Sequence, residues 1–184
     1  MDDLSKHLAT RLRRERERRG WSLSLHADRA RVSKSMISKV ERGEASPTAV
    51  LLGRLSGAFG LTMSSLLENR PGPKLHSRRS EQALWKDPAT GYVRRTVCAP
   101  GSGRIEITEV TLPAGTSVAF PKEAFAFIDQ QLLVLKGTLH FIEGKAARVL
   151  KRGDHLTLGP ARACTFENRL KTACVYLVML VRSG

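Results

Sequence analysis

Cysteine is scarce in this chain: Cys98, Cys164 and Cys174 stand alone among 184 residues, odd in number and without CxxC spacing. That excludes a disulfide framework and a cysteine-pair zinc finger. Long apolar runs are missing as well, since the longest, Val175–Val181, falls far short of the roughly 18 residues of a membrane span. The N-terminus has no signal-peptide core, because Met1-Asp2-Asp3 is acidic and an arginine-rich stretch follows. A cytoplasmic protein with no membrane partner is the expectation. Acidic residues are few, with 17 Asp+Glu against 31 Lys+Arg, so the formal net charge is +14 and the pI near 10.6. Such an excess calls for an anionic partner, nucleic acid first. Apolar residues make up 41% of the chain, which is enough for a core and excludes a wholly disordered basic tail.

The charge is unevenly spread. Residues 1–80 hold 17 basic and 8 acidic side chains, a net +9, and the remaining 104 residues a net +5. At Arg70-Pro71-Gly72-Pro73-Lys74 two prolines and a glycine mark a connector. Before it the apolar residues recur at helical spacing. Leu4, Leu8 and Leu12 form one face of a first helix whose other faces carry Arg11, Arg13, Arg14, Arg16, Arg18 and Arg19. Ser22 and Ser33 can cap a second and a third helix, with Met36, Ile37 and Val40 as the apolar face of the third. Pro47 suits the first turn of a fourth, and Thr62 caps a fifth ending near Leu67. After the connector come short runs rich in β-branched and aromatic residues: Tyr92–Cys98, Arg104–Leu112, Gln130–Leu135, Thr138–Phe141, Ala146–Leu150 and Cys174–Val181. Turn residues separate them, which predicts a β-sandwich or barrel.

The segment Trp21–Arg42, and VSKSMISKVERGEASPT in particular, resembles the helix-turn-helix of XRE, or Cro/C1-type, repressors over residues 6–68. The resemblance implies that the third helix enters the major groove. Ser33, Lys34, Ser35, Ser38 and Lys39 then lie on its exposed face, lysines suited to guanine O6 and N7 and serines to base edges or phosphates. Arg42 and Thr48 suit phosphates. A lysine- and serine-bearing helix face is by itself only a solvated surface; the turn spacing and the Glu41-Arg42-Gly43 terminus give it a partner. Arg16 and Glu41 match a buried ion pair of the family, and Leu12, Ala27, Val32, Ile37 and Leu51 read as core. The sequence departs from the pattern at Leu23, where a phosphate-binding glutamine is common, at His26, where an apolar residue is usual, and at Arg31, where the turn often has glycine. A half-buried histidine is more often core than a pH switch.

The second half resembles a cupin over residues 90–182, on Leu112-Pro113-Ala114-Gly115, the strand ending Leu135-Lys136-Gly137, and Arg152-Gly153-Asp154 followed by Asn168. Cupin enzymes hold a metal with three histidines and a glutamate. Pro121, Glu123, Gln130 and Cys164 occupy the matching positions, a set that cannot form that centre, and His140 and His155 lack ligand spacing. No metal and no cofactor are expected. The barrel then reads as a binding module for a small-molecule effector, its apolar mouth lined by Phe120, Phe127, Gln130, Phe141, Cys164 and Phe166, although any of these could simply fill the barrel. Cys164, close in sequence to Arg162 and Arg169, is the candidate for a lowered thiolate pKa, against the plainer reading of an inert buried thiol.

The resulting expectation is a two-domain chain, α then β. A five-helix lambda-repressor-like helix-turn-helix domain (1–69) and a basic Pro/Gly linker (70–80) precede a cupin (RmlC-like) antiparallel β-barrel (81–184) for effector binding and dimerisation. The function expected is sequence-specific transcriptional regulation by a non-enzymatic homodimer on double-stranded operator DNA. The alternatives are a DNA-tethered cupin enzyme and a regulator whose barrel only dimerises.

Overall fold

Four of the five helices begin at a hydroxyl that accepts a free backbone N–H of the first turn. Helix α1 spans Asp3–Arg18. Ser22 accepts from Leu25 and opens α2 (Leu23–Ala30), and Ser33 accepts from Met36 and opens α3 (Lys34–Glu41). Thr48 and Thr62 do the same for α4 (Ala49–Phe59) and α5 (Met63–Leu67). A cap of this kind stabilises a helix by about 1 kcal/mol. The fourth helix starts later than its proline suggests, because Thr48 takes the N-cap and leaves Pro47 just outside. The computed structural model describes residues 3–68, 76–98 and 105–182. None of the described helices is long and apolar enough to cross a membrane.

Helices α1 and α3 are clamped by a bidentate ion pair: Arg16 Nε and Nη2 each donate to Glu41 at 2.8 Å, while Nη1 donates to the Trp21 carbonyl at 3.0 Å. The turn between α2 and α3 is closed by Arg31 at φ 53°, the single non-glycine residue in the left-handed region among those described. The glycine usual there in the family thus answers a real backbone demand, which Arg31 meets at a steric cost of roughly 1–2 kcal/mol.

The second half forms two facing antiparallel sheets. The first has the order β1-β2-β3-β10-β5-β8, from Leu84–Lys86 (β1), Val93–Cys98 (β2), Ile105–Leu112 (β3), Ile128–Lys136 (β5), His155–Thr157 (β8) and Cys174–Arg182 (β10). The second has the order β4-β9-β6-β7, from Ser117–Phe120 (β4), Thr138–Glu143 (β6), Ala146–Lys151 (β7) and Cys164–Glu167 (β9). This is a jelly roll whose sheets meet face to face without closing a continuous hydrogen-bonded barrel. Strands β1, β4, β8 and β9 go beyond the six expected; at three or four residues each they are too short to show a period. Asn168, fully buried, clasps the turns by donating to the carbonyls of Leu112, Pro113 and Thr172 at 2.8–3.0 Å.

One hydrophobic cluster runs through both halves, from Leu8 and Leu12 through Leu52, Leu55 and Leu66 to Phe120, Phe166 and Tyr176. Helix α4 makes the junction. Its Gly53 faces the Phe120 ring, and a Cβ built on Gly57 would lie 2.4 Å from the Glu123 carbonyl oxygen in the 3-10 turn Lys122–Phe125. Polar ties flank this contact: Asp87 Oδ1 accepts from Ala49 N (3.2 Å), Thr62 Oγ1 donates to Glu106 Oε2 (2.7 Å), and Ser64 and Thr108 share a hydrogen bond (3.1 Å). The core of the expected connector, residues 69–75 with Arg70 and Lys74, lies outside the described residues. Its end runs along the β-domain, where Arg79 forms a two-pronged pair with Glu109 (2.8 and 3.1 Å).

His26 is fully buried between Trp21 and Phe59, with ring centroids 6.0 and 4.4 Å away and neither nitrogen hydrogen-bonded. Burial, then the charges of Arg16 and Arg19, lower its pKa from 6.5 to about 4. The unfolded chain therefore takes up a proton below pH 6.5 that the folded chain refuses. Stability is full above that pH and declines towards pH 4 as the pH falls.

Two outcomes are expected. In urea unfolding, wild type loses about 2 kcal/mol between pH 7 and pH 5 through His26, and His26→Leu flattens that slope. Gly57→Ala lowers the free energy of unfolding by about 1–3 kcal/mol although alanine is the better helix former, because the new methyl meets backbone.

Candidate functional site

The exposed side of α3 is built by its cap and its core. Ile37 and Val40 are buried, which turns Lys34, Ser35 and Lys39 outward, all exposed. Neither lysine lies within ion-pair distance of a carboxylate among the described residues. Ser33 is exposed but its hydroxyl accepts from Met36 N–H, leaving only its proton for a partner. Ser38 is half-buried and receives a hydrogen bond from Arg42. Arg42 is otherwise clamped on Glu44 by Nε and Nη2 (2.6 and 2.7 Å), a pair that raises the guanidinium pKa and lowers that of Glu44. Any phosphate would have to compete with that carboxylate. Thr48 spends its acceptor on the α4 cap. The sequence pattern put Met36 on the apolar face, yet it is 37% exposed beside Lys34 and Ser35. It stands at the stripe's edge, where one residue's rotation of the helix decides its side, and a thioether there suits a thymine methyl.

The arginines of α1 are mostly spoken for. Glu15, 4% exposed, is ringed by Arg11, Arg18 and Arg19, and Arg13 pairs with Glu17 at 2.8 Å. Burial pushes the Glu15 pKa upward, but the Arg19 hydrogen bond and the charges of Arg11 and Arg18 outweigh it and leave it lowered. Of the six arginines, Arg14 alone has no carboxylate partner among the described residues.

The β-domain holds a cavity of about 30 Å³ between the inner face of the first sheet and the underside of α5. Three of the six expected residues line it: Phe120, Gln130 and Phe166. Phe141 is buried 5.2 Å from Phe166 in the core beyond, Phe127 is half-buried away from the lining, and Cys164 sits on β9 outside it. Sequence reasoning missed the polar lining, Arg94 and Tyr176 foremost, and the helical contributions of Thr62 and Met63. One signal was available: in Val93-Arg94-Arg95-Thr96 the two-residue period of a strand forces one arginine inward.

A metal does not fit at the cupin positions. Pro121 has no donor, Glu123 pairs with Arg31 at 3.3 Å, Gln130 offers an amide, and Cys164 is held protonated. Among the described residues no three His, Cys, Asp or Glu side chains come together as a metal site. The lowered thiolate pKa considered for Cys164 is overturned. Burial, with the nearby Glu143 charge, pushes it up to about 12, and the side chains of Arg162 and Arg169 do not offset this.

Residues 12–66 match the helix-turn-helix family HTH_3. The N-terminal part is accordingly a helix-turn-helix domain of the XRE type. Over 67 residues the chain is 37% identical to the HTH-type transcriptional regulator SutR of Escherichia coli K12, a match covering 36% of this chain and 38% of that relative. Across 98% of both chains it superposes on the crystal structure of an HTH_3 family transcriptional regulator from Vibrio cholerae, with a TM-score of 0.82 and 22% identity. That likeness establishes the fold, helical and β parts together.

Near neutral pH, an alkylating reagent is expected to modify half-exposed Cys98 and leave Cys164 and Cys174 intact until the chain unfolds, as mass mapping of the labelled protein would read.

Proposed function

We propose that this protein is a sequence-specific DNA-binding transcriptional regulator that works as a homodimer. The observation that carries the reading is the outward face of α3, where Lys34, Ser35 and Lys39 stand exposed on a helix whose angle is fixed by the Arg16–Glu41 clamp. A rigidly seated helix with free donors is what base readout in a major groove requires. Ser33, Ser38, Arg42 and Thr48 serve phosphates in this reading.

Dimerisation draws support from the outer face of the first sheet. Ile105 and Val181, paired in register, are 48% and 39% exposed, and Leu135 on β5 is 39% exposed. Two-fold pairing through this apolar face would give two helix-turn-helix heads for two half-sites. The β-domain is read as an effector module without enzymatic activity, because its cavity lacks a ligand set for metal and a nucleophile beside a base.

Fluorescence anisotropy on the promoter of the protein's own gene tests the reading. Lys34→Ala and Lys39→Ala are each expected to weaken binding by about 1–3 kcal/mol. Arg42→Ala, which removes one phosphate-neutralising cation, is expected to reduce the salt slope by about 1. Equal affinity for random DNA at physiological salt would overturn it.

A further inference from the structure

The cavity under α5 is polar at its floor in a way that packing alone does not explain. Three side chains that line it carry a buried polar atom with no hydrogen-bond partner: Arg94 Nε, Gln130 Oε1 and the Tyr176 hydroxyl. They are 6%, 4% and 0% exposed and come from β2, β5 and β10, adjacent regions of one sheet face. A buried polar atom without a partner is costly, and a charged group most of all. The remaining donors of Arg94 go to neutral oxygens, the Tyr92 hydroxyl at 2.9 Å and Thr108 Oγ1 at 3.3 Å. No carboxylate among the described residues pairs with it. Glu106 on the same face is hydrogen-bonded to Thr62.

The complement of these groups is specific. A buried guanidinium without a counter-charge asks for an anion. Gln130 Oε1 asks for a donor, and the guanidinium nearby disfavours an ammonium, so the donor is an uncharged group, of which a hydroxyl is the most compact. Burial keeps the Tyr176 phenol protonated and able to donate to the anion. A space of about 30 Å³ holds only a few heavy atoms, so the bound head group is small. Phe125 and Ile128, both half-buried, add apolar lining of the kind a short aliphatic tail would contact.

We propose that this cavity binds a small 2-hydroxy carboxylic acid, with its carboxylate on Arg94 and Tyr176 and its hydroxyl on Gln130. The site touches the helical domain at Thr62, the N-cap of α5, and at Met63, its first residue, so occupancy bears directly on the seat of the DNA-binding domain. In making that acid the effector, the inference rests on the proposed regulator function.

Isothermal titration and thermal unfolding of the full chain test it with lactate, propionate and lactamide. Lactate is expected to bind and raise the unfolding midpoint, propionate to bind more weakly, and uncharged lactamide not to bind. Arg94→Met weakens lactate at least about tenfold, and Gln130→Leu removes the preference for lactate over propionate. No heat from lactate at millimolar concentration, or equal binding of lactate and lactamide, overturns the inference and marks a cavity that holds water only. Should Arg94→Met fail to fold, the wild-type ligand series and Gln130→Leu decide. Operator binding measured in parallel separates the two readings. Specific DNA binding with no acid bound sinks only the effector site, and acid binding without specific DNA binding sinks only the regulator.

Discussion

Helix α4 lies so close to the β-domain that only hydrogen fits between its Gly57 and the Glu123 carbonyl. Much else depends on that contact. It presses the helical half onto the rim of the jelly roll, brings Gly53 against Phe120, and lets a single hydrophobic cluster cross from one half to the other. With α4 seated there, α5 follows and roofs the cavity with Thr62 and Met63. The Asp87 carboxylate meets the first turn of α4, where free backbone N–H groups and the helix dipole favour negative charge. Docked in this way, the helix-turn-helix domain shares a wall with the cavity of the β-domain.

The same economy governs the charge. A net +14 describes attraction to any polyanion, but its distribution decides which cations are free to act. On α1, Glu15 and Glu17 engage most of the arginine run, and Glu44 and Glu109 hold Arg42 and Arg79. The exposed pairs among these, Arg13 with Glu17 and Arg42 with Glu44, add little stability, since solvent screens them. Their effect is to leave Lys34 and Lys39, among the described residues, without a carboxylate partner on the exposed side of α3. The clamp between α1 and α3 is Arg16 on Glu41, where two hydrogen bonds and low exposure hold the two helices together.

Much of the fold was legible because its signals are local. Ser22, Ser33 and Thr62 announce helix starts through a hydroxyl that reaches no further than three residues, and the structure places a cap at each. Thr48 shows the limit of the same rule, since Pro47 and Thr48 both suit a first turn and only the packed backbone chose between them. Strands β1, β4, β8 and β9 escaped because three or four residues carry no period of their own; they exist because neighbours supply the ladder. Met36 escaped because a helical stripe has edges, and the docking angle of α3 settles which side an edge residue takes. For Cys164, sequence neighbours Arg162 and Arg169 left an activated thiol open beside the plainer inert one, and burial against the core raises its pKa.

The sequence by itself determined the order α then β, the helix starts at Ser22, Ser33 and Thr62, the helix-turn-helix resemblance over residues 6–68, and the residue types at the cupin positions, because caps, turns and ligand types are properties of residues near one another in the chain. Only the tertiary structure decided what the β-domain's interior offers instead. Arg94, Gln130 and Tyr176 are separated by dozens of residues and converge because β2, β5 and β10 present their inward positions to one space beneath α5. Their chemistry as a group arises from shared burial, which leaves Arg94 Nε, Gln130 Oε1 and the Tyr176 hydroxyl without partners at a cost in free energy. No stretch of sequence carries that cost; it appears when the sheets close over the side chains.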